Sequence, residues 1–305
     1  MREILSIGEC MVELARRGDG AFDLRVGGDT FNTAIYLSRL GAPVSYMTAV
    51  GDDPYSALIV EAAASEGVGT DTIRVAPGRM PGLYLIETTA GERRFFYWRD
   101  TSPARDLPER PDWETLVARL VAAGTIYLSG ITLSLYTPRG LDRLADALSA
   151  ARQSGARVVI DSNYRPAGWR GDVDRARIVY TRFWSLCDIA LPSFDDEQAL
   201  WGDATPADTF ARLAGCGVTE TCLKMAEGGA TVSAGGTPRH VAPAATIEPI
   251  DTTAAGDSFN AAYLAARLAG QPPADAAAHG NRLAGIVIRH PGAIAPATAT
   301  AAFSL

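Results

Sequence analysis

Short apolar segments that alternate with longer amphipathic ones limit most strongly what this chain can fold into. The apolar runs have the length of buried strands and cover residues 3–7, 44–50, 125–128, 158–161, 189–191 and 221–224. Helical patterns lie between them, at residues 30–40, 55–66, 139–153 and 206–214. A glycine, the usual helix stop, follows each of them: Gly41, Gly67, Gly155 and Gly215. Strands that alternate with helices predict βαβ units. We therefore expect an α/β fold with a mostly parallel central sheet and helices on both faces.

Two stretches break this alternation. Residues 10–26 alternate apolar and polar side chains with no helix after them, and residues 82–99 have the pattern of a hairpin that turns at 89–92. Together they predict a small antiparallel sheet, made by residues 10–26 and 80–102, that covers a site as a lid. The main domain then comprises residues 1–9, 27–79 and 103–305.

Charge and composition narrow the class of function. The 305 residues carry a net charge of −7, so the chain has no excess of cations for nucleic acid or for an anionic membrane surface. No apolar run approaches the ~20 residues that span a bilayer, and the N-terminus has the pattern of a strand and not of a signal peptide. Four scattered cysteines favour reduced thiols, and three histidines do not form a metal-binding spacing. We expect a cytoplasmic protein that acts on a small molecule.

The segment with the clearest chemical content is Asp251-Thr252-Thr253-Ala254-Ala255-Gly256-Asp257, which opens an apolar helix that runs to about residue 269. Small residues at a helix N-terminus let backbone amides approach an anion such as a phosphate. A carboxylate beside that anion suits proton removal from a hydroxyl that attacks phosphorus. The alternative interpretation is that Asp257 only caps the helix.

This segment resembles the C-terminal signature of the ribokinase-like (PfkB) carbohydrate kinases. The early stretch Gly27-Gly28-Asp29-Thr30-Phe31-Asn32-Thr33-Ala34 resembles the N-terminal signature of the same family, and the resemblance covers essentially the whole chain. It implies a ribokinase-like three-layer αβα fold, with nucleotide and sugar sites in the main domain and a small β lid.

Several segments are similar to the members of the family that phosphorylate 2-keto-3-deoxygluconate. They include Ile7-Gly8-Glu9-Cys10-Met11-Val12-Glu13-Leu14, Pro81-Gly82-Leu83-Tyr84, Phe96-Tyr97-Trp98-Arg99, Tyr127-Leu128-Ser129-Gly130-Ile131 and Asn163-Tyr164-Arg165-Pro166. The resemblance implies a kinase that transfers phosphate from ATP to the terminal 6-hydroxyl of this sugar acid.

The family resemblance also assigns roles to individual residues. Asp257 matches the catalytic base, and Ala254, Ala255 and Gly256 match the anion hole. The implied sugar site contains Gly28, Asp29, Thr30, Asn32, Tyr84, Tyr97, Arg99 and Arg165.

Physical reasoning leaves alternatives for several of these sugar-site residues. Asp29 and Thr30 can instead cap a helix, which would place Asn32 in its first turn. Arg99 and Arg165 suit an acidic substrate because guanidinium groups bind carboxylates with paired hydrogen bonds. The alternative for Arg99 is a surface salt bridge with Asp100 or Glu92.

The implied ATP site contains Asn163, Arg165, Lys224, Gly228, Gly229, Thr252 and Asn281. In the turn after Lys224, Ala226 occupies a position where the family has glycine. The motif that lies near the family's Mg²⁺ matches residues 192–197, with Ser193 in place of asparagine and Asp196 in place of glutamate. Asp196 is therefore the candidate metal residue, acting through water. The alternative is a solvated acidic helix start.

The leading hypothesis is an ATP- and Mg²⁺-dependent kinase for 2-keto-3-deoxygluconate. Two alternatives come from the same family, a fructokinase and a 5-dehydro-2-deoxygluconokinase. A third, from a different class, is a non-catalytic sugar- or nucleotide-binding regulator. The resemblance leaves open a monovalent cation, and aromatic residues of the lid suggest a homo-oligomer that pairs through it.

Overall fold

The computed structural model describes residues 2–89 and 92–305, which form two β-sheets and the helices around them. The strands are β1 (Ile4–Ile7), β2 (Met11–Arg16), β3 (Phe22–Gly27), β4 (Val44–Val50), β5 (Ile73–Val75), β6 (Leu83–Thr89), β7 (Glu92–Trp98), β8 (Thr125–Ser129), β9 (Arg157–Asp161), β10 (Ile189–Ala190), β11 (Glu220–Lys224), β12 (Ala230–Ser233) and β13 (Arg239–Val241). The α-helices are α1 (Asp29–Arg39), α2 (Pro54–Ser65), α3 (Trp113–Ala122), α4 (Gly130–Leu135), α5 (Pro138–Gln153), α6 (Val173–Trp184), α7 (Phe194–Trp201), α8 (Pro206–Gly215), α9 (Ala255–Leu268), α10 (Pro273–Val287) and α11 (Ala297–Thr300). Short 3-10 helices cover Pro103–Glu109, Pro166–Trp169 and Ala226–Gly228.

The larger sheet has nine strands in the order β13-β12-β11-β10-β9-β8-β1-β4-β5. Strands β11 to β5 in this order pair in parallel, and β12 and β13 add an antiparallel edge. The sequence prediction of a mostly parallel sheet is confirmed. All six predicted strands are present, each within one residue of its predicted bounds.

Alternating side chains give this sheet two apolar faces. In β8, Ile126 and Leu128 contribute to one core cluster, whereas Tyr127 contributes to the other. In β9, Val158 and Ile160 again face opposite to Val159. Helices α3, α5 and α6 pack on the first face, and α1, α9 and α10 pack on the second. The result is the expected three-layer αβα arrangement.

Each predicted glycine stop can be compared with the observed end of its helix. Gly41, Gly67 and Gly155 have φ values of +79°, +73° and +87°, the left-handed conformation that ends a helix. The stop predicted at Gly215 is wrong, because α8 runs through Gly215 and the left-handed residue is Gly217, with φ +93°. Both glycines follow the same amphipathic pattern, and only the second takes the left-handed conformation.

The smaller sheet has four strands in the order β3-β2-β6-β7 and is the predicted lid sheet. The β2–β3 and β6–β7 pairs are antiparallel, as expected. The central β2–β6 pair is parallel, because the chain returns to the main sheet between these two strands. Of the predicted hairpin turn, Ala90 and Gly91 lie outside the described residues. The division of the chain into two units stays a prediction.

The chain passes between the two sheets four times: at residues 8–10, at Gly28, at residues 76–82 and after Trp98. Three of these connections contain a glycine against which the neighbouring chain packs closely. A Cβ atom would lie 2.1 Å from Thr30 Oγ1 at Gly8, 2.1 Å from the Glu9 carbonyl oxygen at Gly28 and 2.9 Å from Glu9 Oε1 at Gly82. Glycine is therefore needed at Gly28 for backbone packing.

All four cysteines are free thiols, and Cys10, Cys187 and Cys222 are buried. Across residues 2–89 and 92–305, no helix combines the length and the apolar character that a membrane crossing requires.

Candidate active site

A cleft of about 690 Å³ lies between the lid sheet and the carboxyl-terminal edge of the main sheet. Its walls include residues that follow β1, β9, β10 and β11, the start of α9, and the lid. Strand β1 has β4 on one side and β8 on the other, so the sheet reverses its winding direction at this edge. Open α/β sheets bind ligands at such a reversal.

Asp257 lies in the first turn of α9 and lines the cleft. Its Oδ2 accepts a hydrogen bond of 2.8 Å from Asn32 Nδ2, so α9 and α1 meet at this carboxylate. The residue that caps α9 is Ala254, and the cap has no side-chain hydrogen bond. Capping therefore does not explain this aspartate.

Burial raises the pKa of the Asp257 carboxyl to about 8. The negative charge of Asp29 also contributes to this raised pKa, whereas the hydrogen bond from Asn32 opposes it. A carboxyl with a pKa near the working pH is a better proton acceptor than an ordinary aspartate. Its environment thus suits general-base chemistry.

The start of α9 exposes backbone amides to the cleft. Ala254 has φ +59°, and the amide of Ala255 donates to the Thr252 carbonyl oxygen at 3.2 Å. The next two amides, of Gly256 and Asp257, belong to the first helical turn and have no acceptor within the helix. Among the residues of the predicted anion hole, the amide of Ala255 already donates a hydrogen bond within the turn, whereas the amide of Gly256 is free.

Lys224 places a positive charge near the start of α9. It is the last residue of β11, and its Nζ lies 3.6 Å from where a Cβ would stand at Gly256. Lys224 Nζ also donates to Asp161 Oδ1 at 3.0 Å and to Asn260 Oδ1 at 3.1 Å. Asn260 Nδ2 donates to Asp161 Oδ2 at 2.7 Å. These contacts fix the ammonium group beside the start of α9.

Sequence reasoning missed Asp161 and Asn260. Asp161 is the final residue of β9, and Asn260 is in α9, one helical turn after Asp257. Their signal was available, because a carboxylate at the carboxyl end of a parallel strand points toward the ligand edge of the sheet.

Strained backbone also concentrates in the cleft. Of the four non-glycine residues with positive φ in the described ranges, three line it: Asn163 at +32°, Ala226 at +46° and Ala254 at +59°. Strain of this kind persists where the surroundings enforce it, commonly at functional sites. Ala226 thus takes the left-handed backbone conformation that glycine favours.

The start of α1 brings Asp29 and Asn32 into the cleft but not Thr30. Asn163 Nδ2 donates to Asp29 Oδ2 at 2.7 Å, and partial burial raises the pKa of Asp29. Thr30 is fully buried, with its Oγ1 3.2 Å from the Tyr46 hydroxyl. The predicted sugar contact of Thr30 is therefore not brought to the cleft, because this side chain faces the core.

The lid places Tyr84, Tyr97 and Arg99 along the cleft, as predicted. The buried Tyr84 hydroxyl donates to Glu13 Oε2. The Arg99 guanidinium lies 5.9 Å from the centre of the Tyr97 ring and forms an ion pair with Glu9, a fully buried residue that also lines the cleft. The acidic partner of Arg99 in the described part of the chain is thus Glu9 and not Asp100, and the side chain of Glu92 lies outside the described residues.

Arg165 and Asp196 form a second ion pair in the lining of the cleft. Arg165 Nη1 lies 3.0 Å from Asp196 Oδ1, and the Tyr164 amide donates to Asp196 Oδ2 at 3.2 Å. Burial raises the pKa of the Asp196 carboxyl. Asp196 is therefore not part of a simple solvated helix start. In the described part of the chain, no three His, Cys, Asp or Glu side chains are grouped to hold a metal ion.

Of the remaining residues predicted to bind the nucleotide, some line the cleft and others do not. Thr252 lines the cleft beside α9. Gly228 and Gly229 form the turn after β11, where the Met225 amide donates to the Gly229 carbonyl oxygen at 2.8 Å. Gly229 has φ +86° and packs against the Val241 carbonyl oxygen. Asn281, on α10, lies outside the cleft lining and donates to that same carbonyl at 3.0 Å.

Free backbone amides at a helix start, a buried carboxylate beside them and a polar cleft are typical of enzymes that transfer phosphoryl groups to small molecules. The pfkB family carbohydrate kinase model matches residues 1–300. The chain belongs to this family and is a carbohydrate kinase.

Two relatives with the same enzyme name are similar to this chain over nearly its whole length. The 2-dehydro-3-deoxygluconokinase of Dickeya dadantii is 41% identical over 303 residues, which is 97% of each chain. The enzyme of the same name from Haemophilus influenzae is 39% identical over 301 residues, 96% of each chain. The substrate in this name is the compound also called 2-keto-3-deoxygluconate.

Solved structures share the fold. The 2-dehydro-3-deoxygluconokinase of Thermotoga maritima matches with a TM-score of 0.85 at 23% identity, covering 97% of this chain and 96% of that one. The ATP-bound fructokinase of Xylella fastidiosa matches with a TM-score of 0.81 at 21% identity, covering 97% and 94%.

Proposed function

We propose that the chain phosphorylates 2-keto-3-deoxygluconate at its terminal 6-hydroxyl, with ATP as donor and Asp257 as general base. The observation that carries this proposal is the position of Asp257. It is a buried carboxylate with a raised pKa, held by Asn32 beside the free amides of α9. Storage of an anion would not require a carboxylate there, because like charges repel.

In the proposed step, the substrate hydroxyl oxygen attacks the γ-phosphorus of ATP and loses its proton to Asp257. A new oxygen–phosphorus bond forms while the bond from phosphorus to the bridging oxygen breaks, and ADP leaves. The amides of Gly256 and Asp257 and the Lys224 ammonium stabilise the charge on the transferred group. Correct placement of both reactants supplies much of the remaining acceleration.

Several observations support an acidic sugar as the substrate. Arg99 follows the lid strand β7 and Arg165 follows β9, and both line the cleft, so the carboxylate of a sugar acid has two guanidinium groups in the same cleft. A guanidinium matches a carboxylate with paired hydrogen bonds. Two relatives that cover nearly the whole chain carry the name of a sugar-acid kinase.

Mg²⁺ belongs to this proposal as part of the nucleotide substrate. Mg²⁺ keeps several waters and binds phosphate oxygens readily, so it needs few protein ligands. Because Asp196 is already paired with Arg165, we assign it a contact to Mg²⁺ through water and not a direct bond. We assign Asn163, Arg165, Lys224 and Thr252 to the phosphates, and Gly228, Gly229 and Asn281 to the nucleoside side.

A neutral sugar is the second candidate, and one observation favours it. Arg99 is paired with Glu9 and Arg165 with Asp196, so neither arginine brings an uncompensated positive charge to the substrate. A fructokinase of this family would therefore meet no strong electrostatic obstacle in the cleft.

We also propose that the protein pairs through the outer face of the lid sheet. Strand register places Leu14, Leu24, Leu85, Phe96 and Trp98 on the face opposite to Tyr84 and Tyr97. Leu24 is 47% exposed, Phe96 43% and Trp98 60%. A contiguous exposed apolar surface of this kind commonly marks an interface.

The testing experiment measures ADP release from ATP and Mg²⁺ with 2-keto-3-deoxygluconate, its galacto epimer, gluconate, fructose and ribose. The phosphorylated carbon of the product is assigned by ³¹P NMR. Asp257→Asn is expected to lower kcat by about 10²–10⁴-fold, the usual contribution of general-base catalysis. Asp275→Asn, the same change at an exposed position on α10, is the matched control.

Preference for the keto-deoxy acid, 6-phosphate as product and loss of turnover in Asp257→Asn alone would support the proposal. Preference for fructose would favour the second candidate and overturn the substrate assignment. ATP binding without turnover on any sugar would indicate a regulator.

A further inference from the structure

Glu9 is a buried carboxylate in the cleft wall that the proposed reaction does not use. It follows β1 within two residues and is fully buried, and no described residue hydrogen-bonds to either of its carboxylate oxygens. Its ionic partner is the Arg99 guanidinium, with which Glu9 Oε2 is in contact. Burial of a carboxylate is unfavourable unless an opposite charge compensates it, so Glu9 requires Arg99 nearby.

The Glu9–Arg99 ion pair joins the two sheets. Glu9 belongs to the connection that leaves the main sheet, whereas Arg99 follows the last strand of the lid. The Arg99 side chain is only 19% exposed, and the Tyr97 ring lies 5.9 Å from its guanidinium carbon. Arg165, by comparison, has a side chain that is 58% exposed. Arg99 is thus the more firmly held of the two arginines in the cleft.

The ion pair leaves part of the guanidinium available. Glu9 contacts Nη2, and the buried Nε of Arg99 has no acceptor among the described residues. A guanidinium carries five N–H donors in one plane and can serve two carboxylates from different edges. An unsatisfied buried donor at the wall of a substrate cleft points to an acceptor supplied by the ligand.

We infer that Glu9 is a positioning residue for substrate selection: it holds Arg99 so that the free N–H groups of the guanidinium meet the carboxylate of the sugar acid. This inference rests on the proposed function. It places the preference for an acidic sugar in the orientation of one arginine, since the net charge of the pair is zero. Glu9 acts through Arg99 and does not take part in the phosphoryl transfer.

The test compares Glu9→Gln, Arg99→Gln and the double variant on 2-keto-3-deoxygluconate and on fructose. Glu9→Gln is expected to raise KM for the sugar acid about tenfold, with kcat and the KM for ATP unchanged. Activity on fructose is expected to stay at the wild-type level. The matched control is Glu87→Gln, the same change at a lid glutamate that is paired with Arg16 at 3.3 Å outside the cleft lining.

The double variant separates positioning from a structural role. If Glu9 acts only through Arg99, Glu9→Gln adds no further rise in KM once Arg99 is glutamine. An additive rise, or an equal loss on fructose and ATP, would show that Glu9 supports the cleft in general and would overturn the inference. Should Glu9→Gln fail to fold, Glu9→Asp keeps the charge but shortens the side chain. The same rise in KM is then expected.

The outcomes also separate this inference from the proposed function. A wild type that prefers fructose removes the proposed function and the role of Glu9 with it. A wild type that prefers the sugar acid, together with an unchanged KM in Glu9→Gln and Glu9→Asp, removes only the role of Glu9.

Discussion

Single side chains in the cleft are held by partners that are distant in sequence. Asp257 is fixed by Asn32, Lys224 by Asp161, and Arg99 by Glu9. Each pair joins two different elements around the cleft, so these side chains are oriented in the absence of a ligand. Such preorganisation lowers the cost of arranging charges during the reaction.

The raised pKa of Asp257 predicts how activity depends on pH. Since the pKa is about 8, the carboxyl is mostly protonated at pH 6 and becomes an available base as the pH rises through 8. We expect kcat/KM for the sugar to increase by a factor of several tens between pH 6 and pH 8 and to reach a plateau above pH 8. This pH dependence is measured from initial rates between pH 6 and pH 8, at constant ionic strength and saturating Mg²⁺. A flat profile below pH 8 would contradict the assignment of Asp257 as base.

Gly256 offers a test of the anion site that leaves the fold intact. A Cβ there would meet Lys224 Nζ at 3.6 Å, an ordinary contact, and the residue does not have a positive φ. Gly256→Ala should therefore fold with an unchanged melting temperature. The methyl group would occupy space beside the free amide, so we expect kcat to fall about 10²-fold, as for loss of one oxyanion donor. Thermal unfolding and steady-state rates are measured together, and normal activity would contradict the predicted anion site.

At the scale of elements, the end of α8 is marked by a single residue in the left-handed conformation and not by the first glycine of the sequence pattern. Gly215 is the last helical residue and Gly217 has φ +93°, and a Cβ at either position would meet nothing within 4 Å. The two positions therefore differ in backbone conformation and not in the space available for a side chain.

We expect opposite effects from the same substitution in this pair. Gly215→Ala should stabilise the protein by about 0.5 kcal/mol, because alanine loses less entropy in a helix than glycine. Gly217→Ala should destabilise it by about 1 kcal/mol or more, because the left-handed region is unfavourable for alanine. The midpoints of urea unfolding, measured at one protein concentration, report both changes. Destabilisation by Gly215→Ala would contradict the position of the helix end.

Local pattern predicted most elements, because strand and helix periodicities and glycine stops are short-range signals. The parallel pairing of β2 with β6 is not such a signal, since it depends on the route of the chain between them. The same limit applies to the site. The motif around Asp257 is local, whereas the Glu9 partner of Arg99 lies far away in the chain. The burial of Thr30 depends on packing against Tyr46, which the residues around Thr30 do not reveal.

At the scale of the whole molecule, the outer face of the lid predicts an assembly. Replacing Leu24 and Trp98 by glutamate would place two charges on the apolar face without altering the cleft side of the sheet. We expect the molar mass in solution, measured by light scattering after size exclusion, to fall from that of an oligomer to that of a monomer. Ile178→Glu, at an exposed apolar position on α6 and not on the lid, is the control and should leave the mass unchanged. A wild type that is already monomeric would contradict pairing through the lid.

The four connections between the sheets limit how the lid can move. The lid is tied to the main sheet at four places, and at one of them, Gly28, the backbone carbonyl of Glu9 leaves no room for a side chain. A displacement at one connection must be matched at the other three, so we expect the lid to move as one unit. A single proteolytic cut in one connection would therefore leave the lid attached to the main sheet through the other three.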